Sequence, residues 1–110
     1  MGNDRELLEL AAKAAGLDLE ESIYPGWFMC NGRQWNPLVD DGDAMRLSVK
    51  LVIDTRQFLQ YRGVVDCLVD SMGMGVVEQV GDDPYAATRR AIVRAAAEIG
   101  KKVGAPHEAG

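Results

Sequence analysis

Histidine, cysteine, proline and aromatic residues are all scarce in this 110-residue chain. Each scarcity removes a class of function. The one histidine, His107, stands near the C-terminal end, which excludes most histidine-based nucleophile dyads and histidine metal sites. The two cysteines, Cys30 and Cys67, are 37 positions apart and form no short-range metal or redox motif. They read as small buried hydrophobes in a reducing compartment, with a disulfide between them as the weaker alternative. No stretch approaches the roughly 18 apolar residues of a spanning helix. The N-terminus has no apolar signal region, so a cytoplasmic protein without membrane contact is expected. A phosphate-cradling loop is also missing, because Gly73 and Gly75 lack the lysine and the strand–loop–helix context. Basic residues number 12 against 17 acidic ones, a formal net charge of −5. That balance argues against broad nucleic-acid binding. No cofactor and no metal site are expected.

What is present describes an ordinary globular domain, 47% hydrophobic and 26% charged. The length suits one domain over residues 1–103, followed by a flexible tail at 104–110. Two acidic turns frame it, Asp40-Asp41-Gly42-Asp43 and Gly81-Asp82-Asp83-Pro84. Each launches a helix. Asp83 is placed to cap the last one and Pro84 to fill its first turn, where the missing N–H costs nothing. That helix is expected to run to about residue 102. The helix after Asp41 to Asp43 is expected to reach about residue 53, mostly covered, because Met45, Val49 and Val52 widen its apolar arc.

A first helix is expected over residues 4–15, capped by Asn3, with Leu7, Leu10, Ala11 and Ala14 on one face. Asn31-Gly32 between Trp27-Phe28-Met29-Cys30 and Arg33-Gln34-Trp35 predicts a type I′ hairpin. Further strands are expected at residues 58–61, 64–70 and 76–80, with a flexible turn at 71–75. The fold class is therefore α+β: an antiparallel sheet of about four or five strands with three helices packed on its faces, in the order α-ββ-α-βββ-α.

Candidate site residues follow from position. Arg89 falls about 40° from Tyr85, inside the apolar arc of the last helix, so it needs a partner or an outlet to solvent. An ion pair with an acid at one of the helix starts is the leading expectation. Anion binding in a pocket with Asp41, Asp43 and Trp35 is the sharper one. Arg90, Arg94 and Lys101 form a basic stripe on the opposite face, a place for an acidic partner or simply a solvated surface. The aspartates of residues 40–43 could gather a divalent cation, but helix capping accounts for them more simply. Trp27, Phe28, Trp35, Tyr61 and Tyr85 divide between core packing and a small-molecule pocket.

The segment Trp35-Asn36-Pro37-Leu38, the aspartates leading into Ala44-Met45-Arg46-Leu47, and Ala91-Ile92-Val93-Arg94-Ala95-Ala96 together resemble the phage αβα-sandwich domain, a family of small phage and prophage proteins. The likeness spans roughly residues 24–101. It implies a phage-encoded α+β domain, with helices on both faces of an antiparallel sheet, acting in the host cytoplasm. It implies no catalytic residues, and Trp35, Pro37 and Ile92 would be structural. The expectation is a non-enzymatic binding protein acting on a host or phage protein, with self-association into a homodimer. A small-ligand domain or minor enzyme built on Arg89 and nearby aspartates is the alternative.

Overall fold

A computed structural model describes residues 3–58 and 63–103. Its elements are α1 (Asn3–Ala15), β1 (Glu20–Glu21), β2 (Phe28–Cys30), β3 (Arg33–Trp35), α2 (Asp41–Leu51), β4 (Asp54–Phe58), β5 (Val64–Val69), β6 (Met74–Gln79) and α3 (Pro84–Val103). The class is α+β with three helices, as the hydrophobic patterning indicated. The single sheet of four or five strands is a correction. There are two three-stranded antiparallel sheets, β1-β2-β3 and β4-β5-β6. The helix α2 separates them in the chain, and the first hairpin recruits the dipeptide Glu20–Glu21 as its third strand. So short and acidic a strand has no apolar alternation to announce it.

The hairpin turn is as predicted. Asn31 and Gly32 both have positive φ, 54° and 78°, and Cys30 pairs with Arg33 across a two-residue loop. In the second sheet, the polar run that follows α2 forms β4 (Asp54–Phe58), starting four residues earlier than expected. It tolerates polar residues because it lies at the edge and pairs on one side only, with Arg56 opposite Asp66 at 3.1 Å. Met72 and Met74 pack partly against the core, and residues 70–72 form a 3-10 turn rather than a loose loop. Helix α1 already includes Asn3, expected as its cap; the rest of the strand expected at 58–61 and the tail at 104–110 lie outside the described residues.

Helix α3 is the centre of the fold, in contact with α1, α2 and all three strands of the second sheet. This explains why burial runs around much of its circumference: Ala87, Ala91, Ile92, Val93, Ala95, Ala96, Ala97 and Gly100 are all buried. Small residues let neighbours approach closely. At Gly100 the approach is extreme, since a Cβ there would sit 2.0 Å from the carbonyl oxygen of Leu10 on α1. The matching face of α1 carries Leu8, Ala11, Ala12 and Ala15. It shares Ala11 with the predicted face but is turned by part of a helix step from it, leaving the other predicted members, Leu7, Leu10 and Ala14, only half-buried. From the sheet side, Val65, Cys67 and Val69 of β5 complete the core.

Helix α2 corrects an expectation more sharply. Only Asp43, Ala44 and Leu47 are buried. Met45, Val49 and Val52 face outward. The helix ends at Leu51, and Val52 caps it in the left-handed conformation with φ 54° and ψ 55°. A β-branched residue is strained there.

Candidate functional site

The four residues grouped by sequence as a ligand site fall into two places. Asp41 and Arg89 line a groove between α2, β4 and the start of α3. Trp35 and Asp43 line a smaller recess on the hairpin side of α2.

In that second place the residues serve the fold. Trp35 is a core residue opposite Phe28. Asp43 is 2% exposed, and its carboxylate accepts from the Asn36 backbone N–H at 2.9 Å and from Arg46 at 2.8 Å. Asn36 is itself tied at both ends of its amide: its Nδ2 donates to the Gly26 carbonyl, and its Oδ1 accepts from the Leu38 N–H. Pro37 is among the largest fully buried side chains. The Trp35-Asn36-Pro37 segment is thus a buried knot that ties the hairpin to the start of α2. The carboxylates around it diverge. Asp40 caps α2 through the Asp43 N–H at 2.8 Å, Asp41 turns to Arg89 and Asp43 turns inward. Among the described residues, no group of three or more His, Cys, Asp or Glu side chains could hold a metal ion.

The groove is larger, about 750 Å³, within the range of small-molecule and peptide-segment sites. One wall is α2, with Ala44, Met45 and Ser48. The other is α3, with Tyr85, Thr88, Arg89 and Ile92. Ile53, Thr55 and Gln57 form its floor. Directly below, Thr55 Oγ1 lies 3.4 Å from Cys67 Sγ. Burial pushes the Cys67 thiol up, an effect that the Thr55 contact partly offsets, so this sulfur stays protonated and unreactive at neutral pH. Arg89 is fixed at the groove edge. Its Nε donates to the Leu38 carbonyl at 2.8 Å and its Nη1 to Asp41 at 2.7 Å. The expected ion pair between Arg89 and a helix-start acid is therefore present. It joins a largely covered guanidinium to a carboxylate that stays mostly in solvent. Tyr85, expected on the core face, is 72% exposed at the rim. Asp83 caps α3 by accepting from the Tyr85 and Ala86 N–H groups.

The basic stripe also changes meaning. Arg90 reaches Asp4 on α1 at 3.1 Å, and Arg94 pairs with Glu78 on β6 and donates to the Val77 carbonyl. Lys101 pairs with Glu98 on its own helix at 3.0 Å. The arginines clip α3 to its neighbours; they are not a row of uncommitted cations. Periodicity around one helix could not show this, because the carboxylates come from other elements.

Met45, Ser48, Ile53, Thr55, Gln57 and Thr88 were not foreseen as a site. The available signal was the breadth of the apolar arc on α2, wider than a helix with one buried stripe requires. Among the described residues, no helix is long and apolar enough to cross a membrane. No known family, curated protein or solved structure matches the chain.

Proposed function

We propose that this is a non-enzymatic protein-interaction domain whose docking face is the groove between α2, β4 and α3. The observation that carries the reading is the coincidence of that groove with outward-facing Met45, Val49, Val52 and Tyr85. Large apolar side chains gathered beside a recess, rather than scattered singly, mark interaction surfaces. Among the described residues the groove holds no nucleophile beside a base, and the Arg89–Asp41 ion pair is internally compensated, which supports binding over catalysis. In the phage setting suggested by the motif resemblance, the partner is a host or phage protein in the host cytoplasm.

Affinity capture from a lysate of the source cell tests this reading. Wild type is expected to retain a stoichiometric protein that Met45→Glu loses, with the helical circular dichroism unchanged. Capture that Met45→Glu leaves intact would move the docking face elsewhere.

One observation favours a small-ligand reading. The Nη2 group of Arg89 has no hydrogen-bond partner among the described residues, and a carboxylate or phosphate on an otherwise apolar ligand would satisfy it. A thermal-shift series with nucleotides and long-chain carboxylates checks this. A saturable shift abolished by Arg89→Gln would establish it.

A further inference from the structure

We propose that the occupant of the groove is a second copy of this chain, packed about a two-fold axis so that each protomer's Met45–Val49–Val52 ridge enters its partner's groove. The inference rests on the interaction reading above and names its partner.

Three features point to self-pairing. The first is shape. A two-fold interface uses the same patch on both protomers, so that patch must contain both a projection and a recess. Here they adjoin. Met45 lines the groove and is 63% exposed, and the stripe it begins continues through Val49 at 68% and Val52 at 81%. Tyr85 stands on the opposite rim.

The second is charge. Each copy carries a formal −5, so two copies repel wherever acidic surface meets acidic surface. The groove lining has one acid and one base, Asp41 and Arg89, already joined at 2.7 Å. Beyond the ridge, exposed Lys50 and Asp54 again balance. The groove lining and the ridge can therefore meet their own copies without placing net like charge against like, and the exposed acids Asp82 and Asp83 stand outside them, next to the Tyr85 rim.

The third is area. At these exposures, Met45, Val49, Val52 and Tyr85 present on the order of 500 Å² of mostly apolar surface. A standard interface buries about 800 Å² per partner, of which roughly two thirds is apolar in homodimers. The patch supplies about that apolar share.

Val52 adds an independent point. A helix cap in the left-handed region is a glycine or asparagine position, yet this chain places there a branched apolar residue that its own fold leaves bare. Burial against a second copy gives that side chain a use.

The test is sedimentation velocity on the full chain from about 1 to 200 µM, which covers dissociation constants of that order. The expected result is a concentration-dependent rise to twice the monomer mass. Val49→Glu should weaken association by about 30-fold or more. Its side chain is exposed, so the dilute monomer should keep its helical signal. Lys13→Glu, on the exposed side of α1, serves as the control and should assemble as wild type does. Monomer mass throughout the range would overturn the proposal, as would a dimer indifferent to Val49→Glu. If the chain stays monomeric while Met45→Glu still releases a captured protein, this inference fails and the interaction reading stands. If neither association nor capture depends on the face, both fail. A mass shift produced only by a long-chain carboxylate would give the groove to a small ligand and also overturn the proposal.

Discussion

Helix α3 meets α1 on one side and α2 on another, and the two contacts are built differently. Against α1 it presents alanines and Gly100, and α1 answers with Leu8, Ala11, Ala12 and Ala15, so the backbones close up. Against α2 the fit is partial. Ala44 and Leu47 are buried, while a groove of about 750 Å³ stays open beyond Ile92. A small-residue seam has no room for a guest and stabilises the domain through dispersion across closely packed atoms. A wider, mixed contact leaves apolar surface that the fold does not use. The closed side of α3 thus carries the dense packing, and the open side is the one proposed for binding.

The largest expected effect breaks the closed side. Gly100→Ala puts a methyl group against the Leu10 backbone, which cannot swing aside as a flexible side-chain tip can. The expected loss is about 3 kcal/mol, at the upper end for overpacking, read as a lowered denaturation midpoint. An equal-sized addition on the open side, Ser48→Thr in the groove wall, should cost less than about 0.5 kcal/mol, as for changes away from packed features. Equal losses from the two changes would mean that the sides do not differ as described.

The next largest effect probes where the open side is anchored. Asp43→Ala removes the acceptor of the buried Asn36 N–H and of Arg46. Arg46 is well exposed and can turn to water, but the Asn36 N–H cannot. The expected loss is about 2 kcal/mol, the range for stranding a buried donor, measured by urea denaturation. The openness of α2 is therefore confined to its outward face, because its first turn is held by the Trp35-Asn36-Pro37 knot.

These two positions show how far the chain could be read without coordinates. The Asn31-Gly32 turn, the Asp83-Pro84 start and the Arg89 ion pair were readable because each rests on local chemistry or on one helix's periodicity. The role of Gly100 was not, since nothing in its sequence neighbours says that another backbone crosses there. The wide apolar arc of α2 predicts burial that the fold does not provide, because periodicity counts apolar positions without counting available partners. For the same reason periodicity puts Tyr85 on the core face and leaves Arg90 and Arg94 as a bare stripe, whereas their partners Asp4 and Glu78 come from α1 and β6.

Cys67 lies where the shared core meets the groove floor. Burial raises its thiol pKa in the folded state. A raised pKa means that stability is fully present below the unfolded thiol's value, about 8.5, and is lost as pH rises through that value toward the folded one. Urea denaturation should therefore show stability falling as pH rises above about 8.5, and Cys67→Ala should lack that component. In native protein at pH 8, an iodoacetamide label should enter Cys30, which is partly exposed, well before Cys67. Rapid labelling of Cys67 would mean that the groove floor opens, and the contrast between a closed and an open side would soften.

The smallest expected effect on stability is the most discriminating between folding and binding. Val52→Gly relieves a left-handed φ of 54° at a β-branched residue. Relief of that conformation is worth about 1–2 kcal/mol, and the freedom glycine gains in the unfolded chain offsets roughly half of it. The net expectation is a monomer more stable by about 0.5 kcal/mol. The same change strips the most exposed residue of the ridge, which is 81% accessible, and should weaken self-association. A residue whose removal helps the fold and harms the assembly belongs to the assembly. If Val52→Gly instead lowers the midpoint of the dilute monomer, Val52 packs within its own chain, and the ridge of α2 is smaller than its exposure indicates.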